Sequence, residues 1–438
     1  MPTTLAHLQA DVGTFDAESS RVVVACPDSR PPAYQAAAAL ARGGRLDRLV
    51  TGYYNRGERT TWPALDRKLA RRRDPQIPAS RVRSYPSFDL ALALENHAGG
   101  RLRHGIARWR TRRFDRQLRG ELRRDRPAAL LAFSDVASEF ALPFCKDAGV
   151  STILSMVHGD VREEVEVLDR ERERSPDFFR IYLGDGPIDR RELGWLHDRR
   201  LHDLDHADRV LVPSDHIRDR LIAHGSDPDR IDVVPYAADT HRFRPRSDHR
   251  HGATCRFVFA GGITQRKGIS DLLDAWRLVR RPGWSLGLLG AMPRDLGPLS
   301  PYRDEFDWLG RVGHAEMPAI LADSDVFVFP SLFEGSAVVT YEALACGLPS
   351  IVTAESGSVA RHGLDGLIVP AADPVSLAAA MERLGADPAL REVMSRSARD
   401  RAEAFDWMRY HRSIIASITR AIGDRDRRTD HASGFATN

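Results

Sequence analysis

The chain has 438 residues and a mass of 48.9 kDa, more than one hydrophobic core usually organises, so two domains are expected. Its formal net charge of +3 is too small to imply a nucleic-acid partner, and no nucleic-acid motif is present. No run of about 18 apolar residues occurs, no basic segment followed by an apolar one opens the chain, and Cys26, Cys145, Cys255 and Cys346 have no metal-like spacing. A cytoplasmic protein without a spanning helix or a disulfide framework is the expectation.

Residues 21–25 (RVVVA) read as a first strand, and Pro31-Pro32 leads into an alanine-rich helix over 33–41. Residues 97–127 are the most basic part, with eleven arginines against Asp115, Glu121 and Asp125. Leu102, Ile106, Trp109, Leu118 and Leu122 are taken as roughly one helical face. This gives either a basic amphipathic helix lying on an anionic membrane or a solvated helix with one core-facing stripe. Segments 129–133 and 151–157 read as strands with a helix over about 136–148 between them, the alternation of a parallel sheet. Residues 162–174 alternate in sign and are expected as a solvated helix, 175–194 as irregular chain, and 209–213, 214–224 and 230–235 as strand, helix and strand.

Residues 240–254, rich in His, Arg and Pro, read as a linker. A strand, a double-glycine loop and a helix follow over 255–276 (CRFVFAGGITQRKGISDLLDAW), with Ile269, Leu272, Leu273, Trp276 and Val279 at helical spacing. Gly261 and Gly262 permit close approach of backbone to a ligand, and Arg266 and Lys267 place two cations at the loop's end. Lysine occurs only at Lys68, Lys146 and Lys267 in an arginine-rich chain, which singles out Lys267 as a position needing a compact ammonium. The loop is not G-x-G-x-x-G, so dinucleotide binding is disfavoured. Segments 284–289 and 307–309 are further strands, the second running into a loop that contains Val312.

Residues 325–349 (DVFVFPSLFEGSAVVTYEALACGLP) carry the most chemistry. A short β-branched and aromatic run ends at Pro330, Gly335-Ser336 opens a helix with Ser336 as N-cap, and Gly347 and Pro349 close it. Glu334 then lies on the loop at a strand's carboxyl end and Glu342 two turns into the helix, with seven residues between them. The first-turn amides, over Gly335, Ser336, Ala337 and Val338, suit a phosphate, and the carboxylates suit vicinal hydroxyls, so a nucleotide-sugar fits both. The alternative is an exposed loop acid beside a helix-surface acid.

This segment resembles the retaining GT-B glycosyltransferases of family 4, which carry two glutamates in an EG…EA(L/M)ACG(L/T)P pattern. The resemblance covers most of the chain and is strongest over 255–381. It implies an α/β fold of two Rossmann-like domains facing across a cleft, transfer of a sugar from a UDP- or GDP-sugar with retention, and no cofactor or obligatory metal. By the same resemblance, Glu334, Lys267, Arg266 and His158 serve the reaction. Gly261, Gly262, Val312, Gly335, Ser336, Ala337, Val338 and Glu342 hold the donor, with Glu342 on its ribose, and Asp28, Ser29 and Arg30 face the acceptor. The family's usual arginine five residues before the lysine is Gly262 here, so either Arg266 supplies the second charge or one cation suffices. The usual glycine of the IxVVPxGxD passage is Ala237.

The expected division is an acceptor domain over 1–238, completed by a C-terminal helix at 406–424, a donor domain over 239–405, and a disordered tail at 425–438. A glycan, a lipid-linked molecule or a small molecule is the acceptor class, with the inner face of the plasma membrane as a peripheral location if 97–127 binds anionic lipid. An epimerase or phosphorylase of the same fold, or a non-catalytic sugar-nucleotide sensor, are the other readings.

Overall fold

The computed structural model describes residues 20–28, 30–57, 72–184, 188–246 and 254–434. Seven short strands form the first sheet: β1 Val22–Ala25, β2 Leu46–Thr51, β3 Val82–Ser84, β4 Ala129–Phe133, β5 Ser151–Ser155, β6 Arg209–Val212 and β7 Ile231–Val233. Their order is β3-β2-β1-β4-β5-β6-β7, and β1 pairs in parallel with both β2 and β4. Every residue of β1, β4 and β5 is buried, as a parallel sheet covered on both faces requires.

The second sheet has six strands, β8 Cys255–Ala260, β9 Trp284–Leu289, β10 Asp307–Gly310, β11 Val326–Phe329, β12 Ser350–Val352 and β13 Gly366–Ile368, in the order β10-β9-β8-β11-β12-β13. All of its pairings are parallel. The chain runs outward from β8 through β9 to β10, then returns to lay β11 against the other side of β8. Connections leaving β8 and β11 therefore diverge, and the crevice at the carboxyl ends of these two strands is where open α/β sheets take ligands. Phe259 of β8 stacks on Phe329 of β11 at 5.6 Å, and Phe329 on Phe327 at 5.9 Å, so aromatic rings floor this junction.

The sequence places ten of these strands closely and misses β2, β3 and β13, and two Rossmann-like domains account for both sheets. By compactness the chain divides into one unit of Met1–Ser155, Asp198–Val210 and Ile414–Asn438 and a second of Met156–His197 and Leu211–Ser413. Residues 156–197 and 211–238, expected with the first domain, group with the second unit. The C-terminal helix runs Trp407–Gly434, well past residue 424, so most of the tail expected to be disordered is helical. Within the first unit this helix is fixed by Arg45 to Thr419 Oγ1 at 2.8 Å and by Arg425 to Asp208 at 3.0 Å.

Residues 175–194, expected as irregular chain, hold a short helix at Pro176–Phe179 and the start of a long one at Arg190–His206, and two further helices differ from expectation. Val161–Arg174 is not a solvated helix: Glu163, Glu164 and Glu171 are buried, because His216, His197 and Arg174 respectively reach them. Gly100–Arg124 presents two apolar faces rather than one. At about 100° per residue Leu118 and Leu122 lie opposite Leu102, so they enter the core with Phe114 while Leu102 and Trp109 stay exposed.

Candidate active site

The groups gathered around Glu334 all belong to the second unit. Glu334 follows β11 through Pro330–Phe333 chain whose apolar members, Leu332 and Phe333, are fully buried. Lys267 closes the loop after β8, where Gly268 adopts a left-handed φ of 71° with its α-carbon packed against Pro330; an added Cβ would lie 2.0 Å from the Pro330 carbonyl. That close approach brings the two loops together, and Lys267 Nζ forms a direct ion pair with Glu334 Oε1. Arg266 Nη2 lies 3.5 Å from the same oxygen, and Lys267 Nζ sits 4.9 Å from the Phe329 ring centroid. Burial opposes ionisation of Glu334, but Lys267 and then Arg266 outweigh it and hold the carboxyl below its ordinary range. Burial pushes the Lys267 ammonium down, against the pull of Glu334, whereas Glu334 raises Arg266. Lys267 and Arg266 thus meet on one carboxylate, with Glu164 a second acid acting on Arg266, and an anionic ligand would compete with Glu334 for both cations.

The helix expected to open at Ser336 opens at Val338 and runs to Ala345, with Ala337 at the N-cap and no side-chain cap. Ser336 Oγ instead donates to Gly357 O at 2.7 Å and contacts Tyr341 Oη at 3.1 Å. The Ala337 amide donates to Ser356 O at 3.1 Å, so of the amides expected to face a phosphate this one is committed to the loop after β12. The helix start offers the amides of Val338 and Val339. His158 follows β5, and Gly159 beside it packs so closely on Phe333 and Glu334 that a Cβ would meet the Phe333 ring at 2.5 Å. Gly335 is as tight on Val157, where a Cβ would meet the carbonyl oxygen at 2.4 Å. His158 Nδ1 lies 2.7 Å from Gly159 O; a carbonyl only accepts, so this nitrogen carries a proton.

Gly261 passes so near Gly290 that a Cβ on Gly290 would lie 1.7 Å from Gly261 O, while a Cβ on Gly262 would meet only Thr264 Cγ2 at 3.7 Å. Space for a side chain thus remains where the resembled family has arginine. Glu342 is buried, and its Oε1 lies 2.7 Å from His314 Nε2 on the loop after β10, two residues beyond Val312.

In the first unit, Asp28 and Arg30 stand on the loop after β1 and pair with each other at 2.7 Å; Ser29 lies outside the described residues. β1 and β4 form the order reversal of the first sheet, and the loop after β4 contributes Asp135, at a left-handed φ of 75°. Asp203 Oδ2 accepts its amide at 3.0 Å and Arg200 Nε donates to its carboxylate at 3.0 Å, which hold that conformation. Burial opposes the charge of Arg30, but Asp28, with Cys26 and Asp135 beyond it, raises its pKa. Asp135, His314 and Phe329 were not found from sequence: their signals are contacts with residues remote in the chain.

A family model described as Glycosyl transferases group 1 matches residues 254–387, and one described as Glycosyltransferase Family 4 matches residues 81–242. The D-inositol 3-phosphate glycosyltransferase of Pseudarthrobacter chlorophenolicus is 33% identical over 270 residues, covering 55% of this chain and 61% of that relative. Its namesake in Mycobacterium marinum is 32% identical, covering 50% and 52%. The chain thus spans about half to three-fifths of the length of these curated relatives. Among solved structures, sucrose-phosphate synthase of Thermosynechococcus elongatus superposes with a TM-score of 0.64 at 18% identity, covering 94% of this chain and all of that one. The Anabaena protein HepE in complex with UDP-glucose gives 0.59 at 14%, covering 91% and 99%. At such identities the likeness is one of fold.

Proposed function

We propose, for a chain that belongs to the group 1, family 4 glycosyltransferases, that it moves a sugar from a nucleoside-diphosphate donor to an acceptor hydroxyl with retention of anomeric configuration. The observation that carries this reading is the convergence of Lys267 and Arg266 on Glu334 at the β8–β11 reversal, beside a helix start. The diphosphate would lie against the amides of Val338 and Val339 with Lys267 and Arg266 on its charge. Glu334, released from Lys267 as the phosphates take over that cation, would accept hydroxyls of the transferred sugar. Glu342 would accept those of the ribose, and Gly261, Gly262 and Val312 would border the nucleotide.

In the step itself the bond from the anomeric carbon to the leaving phosphate oxygen breaks. The acceptor oxygen bonds to that carbon on the same face, and its proton passes to the leaving diphosphate. No covalent nucleophile or metal is invoked; the protein contributes charge and position. His158, held against the Glu334 loop, would contact the transferred sugar or the acceptor.

Asp28 and Arg30 are assigned to the acceptor, with Asp135 as their neighbour. Relatives named for D-inositol 3-phosphate support a small phosphorylated polyol as the first acceptor to try, and the UDP-glucose bound to HepE supports a uridine donor. The test is multiple-turnover release of UDP or GDP from a panel of nucleotide-sugars, with and without D-inositol 3-phosphate. Acceptor-dependent release with the product in the donor's anomeric configuration is expected. Release without acceptor would favour transfer of the sugar to water, conversion of one nucleotide-sugar into another without release would favour an epimerase, and no turnover with any donor would favour a sensor.

A further inference from the structure

Glu342 is a buried carboxylate on the helix Val338–Ala345, and its terminal torsion is soft unless an oxygen is tethered. His314 supplies that tether. Its Nε2 lies 2.7 Å from Oε1, and a carboxylate oxygen only accepts, so Nε2 is the donor of this hydrogen bond. The imidazole stands edge-to-face on Phe243 at 5.4 Å. Phe243 is fully buried, and its carbonyl accepts from Arg399 Nη1 at 2.8 Å; the same nitrogen donates at 2.7 Å to the carbonyl of Ala345, the last residue of the helix that bears Glu342. One guanidinium therefore fixes both the support of the imidazole and the helix of the carboxylate. His314 itself is 45% exposed, on the loop that also carries Val312.

We infer that His314 is a positioning residue that sets the Glu342 carboxylate to receive a vicinal ribose diol. This rests on the donor-site reading above. An ionised carboxylate offers about four acceptor positions; His314 takes one on Oε1, leaving Oε2 and the second side of Oε1 for two neighbouring hydroxyls. Without the histidine the carboxylate can turn, and the paired geometry is no longer held in advance.

The test is calorimetric titration of the full chain with UDP, GDP, their 2′-deoxy forms and inorganic pyrophosphate. For the nucleotide that binds, the wild-type chain prefers the ribose form by about tenfold or more, the size of a hydrogen bond to a charged group. His314→Ala lowers that preference to about threefold or less while pyrophosphate affinity stays as in the wild type, and His314→Gln, whose amide can donate to the carboxylate, restores most of the preference. A His314→Ala chain that keeps the wild-type preference overturns the inference alone. So does a parallel loss of pyrophosphate affinity, which would mark a structural role. A wild-type chain that binds no nucleotide, or binds both forms equally, overturns the donor-site reading along with it.

Discussion

Lys267 is one of three lysines in the chain, and its ammonium is held in a largely buried position by Glu334 and the face of Phe329. In the proposed donor site it meets the charge that grows on the departing diphosphate. Lys267→Ala is expected to lower turnover by about 10² or more with donor affinity changed less, read as kcat and KM for nucleotide release. Glu342→Gln is expected to weaken donor binding mainly, read by calorimetry, because it touches ribose rather than the reacting centre. A separate residue-scale prediction concerns Asp203, whose carboxyl is pushed from an ordinary 3.8 up to about 7, first by burial and further by the Asp135 carboxylate. Between about pH 4 and pH 7 the folded chain then holds a proton that the unfolded chain has lost, so this group's contribution to stability falls as pH rises through that window. Asp203→Asn should remove the slope, gaining about 2–4 kcal/mol on the wild type between pH 4.5 and pH 7.5 in urea unfolding. Of the residues themselves, Glu334, Lys267 and Arg266 were legible because a glycine loop and a strand end frame each of them. His314 was not, since its partner lies 28 positions away and only the folded loop after β10 brings them together.

The helix Val338–Ala345 shows where local rules stop. Ser336 before an apolar run reads as an N-cap, but its hydroxyl is drawn to Gly357 O, 21 positions on, and the N-cap falls one residue later, on Ala337. Nothing near Ser336 encodes that competitor. The loop ahead of the helix has no room for side-chain atoms at Gly335, so Gly335→Ala is expected to cost about 1–3 kcal/mol of stability in denaturant unfolding and to weaken nucleotide binding by displacing Glu334. A second element carries its own prediction. On Gly100–Arg124 the exposed Arg101, Leu102, Trp109 and Arg113 form a face that the core does not use, and Leu90 and Leu94 of the preceding helix Ser87–His97 are exposed as well. The proposed peripheral contact with anionic lipid makes the chain sediment with phosphatidylglycerol vesicles at low salt but not with phosphatidylcholine vesicles, and Leu102→Asp with Trp109→Asp abolishes it. Equal recovery of the double variant would refute that contact. Among the described residues no helix is long and apolar enough to cross a membrane.

At the scale of the whole chain, the two parallel sheets were readable because strand, loop and helix alternate at short intervals and the central strands, such as β1, β4, β8 and β11, are apolar runs, whereas β2 (LDRLVT) and β3 (VRS) carry too many polar residues to stand out. The order of strands is not written locally: it is the return of β11 to the flank of β8 that creates the crevice and sets Glu334 opposite Lys267. Grouping into compact units was also beyond local pattern, since residues 156–197 follow a strand of the first unit yet pack with the second, where Gly159 closes on Phe333. The claim on which the account turns is the place of the diphosphate. Crystals of the chain soaked with UDP-glucose or GDP-glucose test it most directly. The account predicts phosphate density against the amides of Val338 and Val339 within reach of Lys267, with the ribose hydroxyls on Glu342; a nucleotide bound elsewhere, with Lys267 still locked on Glu334, would contradict it.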